Sequence, residues 1–158
     1  MTLTSRAVLA GIACVALAAV AAALVSQHAF DMQPCPWCVL QRLFFVAIAL
    51  VAAVGLAWRS ATGQRSVAFA LLLLCGGGIA AALWQHFVAA LSSSCRLTMA
   101  ERILSATGLP SLLPDVFEAR ATCADAAIDL LGLPYEFWSL ALFVIIEAAA
   151  VWLLARRT

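Results

Sequence analysis

Four long apolar runs constrain this chain more than any other feature of its sequence. They cover about residues 7–25, 39–57, 67–91 and 137–155, and each is near the ~20 residues that a helix needs to cross a bilayer. Hydrophobic residues make up 66% of the chain and charged residues 11%, whereas ordinary soluble domains are roughly 45–50% apolar. The sequence therefore predicts an all-α membrane protein, a bundle of four transmembrane helices that forms a single membrane domain over residues 1–158.

The first apolar run has the composition of a signal peptide. It is, however, longer than the roughly 7–15 apolar residues of a typical signal-peptide core, and the chain that follows it is too hydrophobic for a mature secreted domain. We therefore expect an uncleaved first span.

The positions of the arginines predict the orientation of the bundle, since the chain contains no lysine. Five arginines share one side of the predicted membrane with no acidic residue among them: Arg6, Arg59, Arg65, Arg156 and Arg157. The positive-inside rule then places both termini in the cytoplasm and the two polar loops, about residues 26–38 and 92–136, outside. With a net charge of +1 and no basic stripe, binding to nucleic acid is excluded.

The two outer loops carry four of the six cysteines. Cys35 and Cys38 form a C-x-x-C pair at the mouth of the second span, and Cys95 and Cys123 lie in the second loop. In a compartment that permits disulfides, the simplest assignment pairs Cys35 with Cys38 and Cys95 with Cys123, although four cysteines allow three pairings.

Arg42 is the residue that favours redox chemistry at this pair. If the chain is helical from Val39, Cys38 and Arg42 are four residues apart and share one face of the helix. A nearby cation and a helix N-terminus both favour the thiolate, which is the reactive form of cysteine. We therefore predict a catalytic role for Arg42 in preference to that of a snorkelling interface residue.

Three other interpretations of the cysteines fit the sequence less well. A structural staple explains Cys35 and Cys38 poorly, because a C-x-x-C disulfide closes too short a loop to stabilise much. A zinc site needs four converging thiolates, but the second pair is not a second C-x-x-C. Haem attachment requires histidine where the chain has Val39.

Two stretches of sequence carry a family resemblance. Residues 34–42 read Pro-Cys-Pro-Trp-Cys-Val-Leu-Gln-Arg, and Cys-Ala-Asp-Ala-Ala-Ile-Asp-Leu-Leu-Gly-Leu, which starts at Cys123, leads into the last span. With four spans, a short first outer loop and a long second one, the chain resembles the DsbB family of bacterial inner-membrane disulfide bond formation proteins over essentially its whole length.

The resemblance implies a quinone-dependent thiol:disulfide oxidoreductase in the bacterial inner membrane, with its active cysteines facing the periplasm. A reduced DsbA-like thioredoxin-fold protein would attack the disulfide between Cys95 and Cys123 at Cys95. Cys123 would then attack Cys35, and Cys38 would remain as a thiolate beside Arg42 that donates electrons to ubiquinone or menaquinone.

The resemblance also points to His86, near the outer end of the third span, as a contact for the quinone together with Cys38 and Arg42. A family alternative, the vitamin K epoxide reductase type, places its C-x-x-C late in the bundle, whereas here it precedes the second span. The alternative from another functional class is a non-catalytic membrane subunit or scaffold with structural disulfides.

Several residues inside the spans are expected to have structural roles. Cys14 and Cys75 are interpreted as buried small hydrophobic residues, and Glu147 as a protonated or hydrogen-bonded structural group. The glycines at 76–78 lack the context of a nucleotide-binding fingerprint and are expected to permit close helix contact instead.

The connections carry signals of local structure. Pro34 and Pro36 are expected to discourage helix until Cys38, and residues 61–66 to form a tight polar turn. In the second outer loop, short helices are predicted from Thr98 to Gly108, from Pro114 onward, and over residues 124–131.

Overall fold

The protein is built on four long helices. The structure, a computed structural model, describes residues 3–58, 60–91 and 99–155. Five of the residues singled out above lie outside these ranges: Cys95, Thr98, Arg59, Arg156 and Arg157. The long helices are α1 (Leu3–Ala29), α2 (Pro36–Ala57), α3 (Ala61–Trp84), which continues as a π-helical turn (Gln85–Ala89), and α7 (Tyr135–Ala155).

All four helices are long and apolar enough to cross a membrane, which confirms the predicted four-helix membrane fold. The helices α1, α2, α3 and α7 pack as a ring in which successive members share the largest contacts, and the contact between α1 and α7 that closes the ring is smaller. In the core, the ring of Phe45 stacks on that of Phe143 at a centroid distance of 4.1 Å.

All four long helices begin before the residues expected from hydrophobicity. The prediction that Pro36 delays α2 is wrong: Pro36 is its first residue, a position where the missing N–H costs nothing. The predicted turn at residues 61–66 is also wrong, because Ser60 caps α3 by accepting a hydrogen bond from the backbone of Gly63 at 3.1 Å. Helix α1 also ends later than expected, at Ala29.

Short helices occupy the second outer loop, as expected. They are α4 (Met99–Thr107), α5 (Leu109–Leu112) and α6 (Pro114–Phe117). Gly108 follows α4 with a φ of +68°, a left-handed conformation that glycine adopts without steric cost.

The helix predicted over residues 124–131 is not formed. Instead, β1 (Asp129–Leu130) pairs with β2 (Leu133–Pro134) as a short antiparallel hairpin. Leu131 and Gly132 both have positive φ angles, 56° and 82°, as in the type I′ turns that join such strands. The turn residues thus overrode the helical pattern that precedes them.

The two cysteines within the spans differ in their surroundings. Cys75 is buried, as predicted, whereas Cys14 is exposed on the surface of α1. The error at Cys14 has a physical reason, since α1 is apolar on every side and its sequence does not mark which face packs inward. Glu147 is half-buried and interacts electrostatically with Cys75.

The glycine run in α3 permits close contact at two of its three positions. A Cβ added at Gly78 would lie 2.5 Å from ring atoms of Phe143, and one at Gly77 would lie 2.9 Å from ring atoms of Phe44. At Gly76, within the described part of the chain, an added Cβ would meet nothing inside 4 Å.

We expect Gly78→Ala to lower the thermal unfolding temperature, because Phe143 is fully buried against Phe45 and cannot withdraw from the added methyl group. Overpacking of this kind costs about 1–3 kcal/mol. Gly76→Ala is the matched control, since it adds the same methyl group to open space and gains up to ~1 kcal/mol in helix propensity. Thermal unfolding of both variants in detergent tests this expectation, and equal shifts in the two variants would refute it.

Candidate functional site

Three cysteine sulfurs meet at the N-terminus of α2. Cys35 is fully buried and caps the helix, since its Sγ accepts a hydrogen bond from the backbone N–H of Cys38 at 3.2 Å. The two Sγ atoms of Cys35 and Cys38 lie 2.6 Å apart as free thiols. The thiol of Cys123 is hydrogen-bonded to Cys35 from the other side. Cys35 is therefore the central sulfur of the three.

The thiols of Cys35 and Cys123, which lie outside the helical spans, differ in their pKa. Burial raises the pKa of the Cys35 thiol well above its usual value, and the hydrogen bonds with Cys123 and Cys38 raise it further. The hydrogen bond from Cys35 lowers the pKa of Cys123, against the opposing effect of burial, and a bond with the backbone of Trp37 lowers it too. Cys123 is thus the better nucleophile, and Cys35 keeps its proton.

Arg42 lies one helical turn below Cys38 and is almost fully buried, at 4% exposure. Its Nη1 donates to Gln27 Oε1 at 3.0 Å and to the backbone oxygen of Val116 at 2.5 Å. Among the described contacts, the interaction between Arg42 and Cys38 is electrostatic only. The guanidinium therefore shares the site with Cys38, as predicted, but its hydrogen bonds hold α6 of the second outer loop.

Gln85 is the side chain that donates to Cys38. Its Nε2 lies 3.3 Å from Cys38 Sγ, and its Oε1 accepts from Gln41 Nε2 at 2.7 Å. Neither Gln41 nor Gln85 was predicted from the sequence to belong to the site. The signal was available, because a glutamine at the end of an apolar run is buried only if its carboxamide is hydrogen-bonded.

His86 and Glu136 form a second polar pair, in which Glu136 is buried and His86 is half-buried. His86 Nδ1 and Glu136 Oε1 are 2.7 Å apart, and the two side chains are 33% and 5% exposed. His86 follows Gln85 in the π-helical turn, a distortion that often occurs at functional sites. Glu136 was not identified from the sequence.

A cavity of about 300 Å³ adjoins Cys38 at the outer end of the bundle. Residues of α1, α2, α7 and both outer loops form its walls, and most of this lining is apolar. Its polar lining residues include Gln33, Cys38, Arg42, Gln85 and Glu136, whereas His86 lies outside the described lining, behind Glu136.

Two buried polar atoms of the cavity lining, Arg42 Nε and Gln33 Oε1, have no hydrogen-bond partner among the described residues. A mostly apolar cavity with a few such polar groups is typical of a site for a small organic ligand. The arrangement places Cys38 of the C-x-x-C pair at the wall of a ligand-sized cavity.

The structure brings four of the six predicted site residues together. Cys35, Cys38 and Cys123 share one cluster, and Arg42 lines the cavity beside Cys38. His86 is one residue removed from the cavity, and Cys95 lies outside the described residues.

Comparisons with known proteins agree on one family. The family described as "Disulfide bond formation protein DsbB" matches residues 5–153. A protein named disulfide bond formation protein B from Aromatoleum aromaticum is 33% identical over 98% of this chain and 95% of its own length. Disulfide bond formation protein B 1 from Pseudomonas syringae is 38% identical, over 87% of this chain and 81% of its own length.

We expect the alkylation of Cys123 to reach half its maximal rate at a pH below the ~8.5 of an ordinary thiol, since the hydrogen bond from Cys35 lowers its pKa. Cys35→Ala should move that midpoint upward, because the thiolate of Cys123 loses its donor. Mass spectrometry of the fully reduced protein, treated with iodoacetamide across a pH series, resolves Cys123 from the other cysteines. Cys38→Ala is the control that keeps the donor, and an equal midpoint in the two variants would contradict the assignment.

Arg42→Met should loosen α6. The substitution removes the donor to the backbone oxygen of Val116, and a hydrogen bond to a charged group contributes about 1.5–3 kcal/mol. We expect hydrogen exchange over residues 116–121 to rise by about 10-fold or more. The control is Arg120→Met, which removes only exposed ion pairs with Asp115 and Glu118, and exposed ion pairs contribute little to stability. Equal exchange in both variants would show that Arg42 does not anchor the loop.

Proposed function

Because the chain belongs to the DsbB family of membrane disulfide bond formation proteins, we propose that it reoxidises a periplasmic DsbA-type dithiol protein and passes the electrons to membrane quinone. The observation that carries this proposal is the position of Cys38, which belongs to a three-sulfur cluster on one side and to a ligand-sized cavity on the other. Electrons that enter through one thiol can leave through another.

The cluster supports an exchange between the two outer loops. The Cys123 thiolate attacks Cys35 in a Cys35–Cys38 disulfide, a new Cys35–Cys123 bond forms, and Cys38 leaves as the thiolate. The existing hydrogen bond between Cys123 and Cys35 holds the two sulfurs within reach of each other, and Gln85 Nε2 can donate to the departing sulfur of Cys38. Upstream of this step, the partner's thiolate attacks Cys95 in a disulfide with Cys123, as the family resemblance implies.

The residues of the cavity fit a quinone headgroup, which is a flat ring with two carbonyl acceptors. The apolar walls suit the ring, and the buried Arg42 Nε, which lacks a partner among the described residues, is a donor of the type that a carbonyl oxygen needs. A bound quinone would supply a two-electron acceptor next to Cys38. Arg42 and Cys38 would hold it directly, and His86 would act on it through Glu136.

The ring of helices offers an entry route for a lipid-dissolved acceptor. The contact between α1 and α7 is smaller than the contacts between successive helices of the ring, and residues of both helices line the cavity. A quinone that diffuses in the bilayer can therefore approach along this seam.

The proposed setting is the bacterial inner membrane, with both termini in the cytoplasm and the active cysteines facing the periplasm. The cysteine cluster and the cavity lie at the end of the bundle that carries the loop helices. The arginines of the sequence favour the opposite end for the cytoplasmic side.

We expect the purified protein to reduce a soluble ubiquinone or menaquinone analogue when it is supplied with a reduced DsbA-type protein, and Cys38→Ala to abolish that activity. The reason is that Cys38 is the only cysteine of the described residues that lines the cavity. Quinone absorbance and the thiol content of the partner are measured together, so that electrons lost and gained can be compared.

The control is Cys14→Ala, which removes an exposed cysteine of α1 and should leave the activity unchanged. If the wild-type protein consumes no quinone, and Cys38→Ala leaves disulfide formation in cells intact, the non-catalytic scaffold is the correct interpretation.

A further inference from the structure

Glu136 is a carboxyl group in an unusual place. Its side chain is 5% exposed, it lines the cavity beside Cys38, and it is the second residue of α7. Carboxylates are rarely buried unless they are paired. The partner here is His86, whose Nδ1 lies 2.7 Å from Glu136 Oε1.

His86 connects this carboxyl group to the outside. A third of its side chain is exposed, and its ring packs edge-on against Phe87 and Phe137 at centroid distances of 4.9 and 4.7 Å. Gln85 and His86 are consecutive in the π-helical turn but lie in different surroundings. Gln85 is buried at the cavity wall, whereas His86 lies behind Glu136. The pair thus runs from the surface of the protein to the cavity.

We propose that His86 and Glu136 form a proton path from the outer surface into the cavity, with Glu136 as the group that delivers protons to the electron acceptor. This inference rests on the proposed quinone reduction. It assigns Glu136 the direct role at the acceptor, whereas His86 acts through Glu136.

The balance of the reaction requires a supply of protons at the electron acceptor. When two thiols form a disulfide, they release two electrons and two protons, and reduction of a quinone to a quinol takes up two of each. The thiol protons leave to water at the loop surface. For each proton delivered, the Glu136 carboxyl group loses one, takes another from His86, and His86 is reprotonated by water.

The pair is suited to this transfer because its proton can move without a net change in charge. Imidazolium with carboxylate, and imidazole with carboxylic acid, have the same total charge, so the transfer leaves no isolated buried charge on either group. Cys123 interacts electrostatically with Glu136, and the other titratable groups that line the same cavity are Cys38, Arg42 and Tyr135.

The first test examines the pair without any acceptor. The chain has two histidines, and His28 is exposed on α1, so ring-¹⁵N NMR of the acceptor-free protein contains an internal reference. We expect Glu136→Gln to shift the His86 signals and to leave those of His28 unchanged. Unchanged His86 signals would overturn the proposal, because the hydrogen bond that defines the path would not exist.

The second test measures turnover of a soluble quinone analogue with a reduced DsbA-type partner. We expect Glu136→Gln to lower kcat by about 100-fold or more, the range in which general acid groups contribute, and Glu136→Asp to retain part of the rate. Added formic acid should restore turnover of Glu136→Gln, since a small acid can replace a missing proton donor but not a missing structural contact. Glu147→Gln, which alters a carboxyl group of the same helix away from the cavity, is the matched control.

The outcomes separate this inference from the proposed function. If the wild-type protein reduces the quinone analogue and Glu136→Gln does so equally fast, the proton path is wrong and the oxidoreductase stands. A slow Glu136→Gln that formic acid does not rescue also overturns the path, because the role would then be structural. If the wild-type protein reduces no quinone, both proposals fail.

His86→Gln should lower the rate less in a Glu136→Gln background than alone, as expected for two groups on one path.

Discussion

The burial of the Arg42 guanidinium is the constraint on which the outer half of this protein depends. A buried charge is tolerated only when hydrogen bonds surround it, so Gln27 and the backbone oxygen of Val116 must stay within reach. These contacts join α1, α2 and α6. Since Pro34 accepts hydrogen bonds from the backbone of Arg120 and Ala121, the chain that leads to Cys123 is held as well.

The same requirement explains how polar chemistry can exist in so apolar a bundle. Gln41 pairs with Gln85, and His86 pairs with Glu136, so these two buried carboxamides and this buried carboxyl group each have a partner on another helix. These pairs surround the cavity and link the helices that form it. A substitution in one pair therefore acts on packing and on the site at the same time.

Much of the fold followed from the hydrophobic pattern of the sequence. Most of the predictions that were wrong concern where a helix begins or what joins two elements. Four apolar runs of span length leave few alternatives to four long helices. Two helices begin earlier than the apolar runs suggest, because capping decides where a helix begins. Cys35 caps α2 and Ser60 caps α3. The hairpin at Leu131 and Gly132 was missed for a similar reason, since its turn conformation is set by two residues and not by the surrounding pattern.

By itself, the sequence determined the class of the protein and its four helices, and it marked Cys35, Cys38 and Arg42 as candidate site residues, because hydrophobic length and the spacing of these three residues are local properties of the chain. Only the tertiary structure decided which groups meet. Cys123 and Glu136 are far from Cys35 and His86 in sequence, and their contacts arise from the packing of separate elements. No local pattern encodes such contacts, since they depend on how the helices turn their faces toward one another.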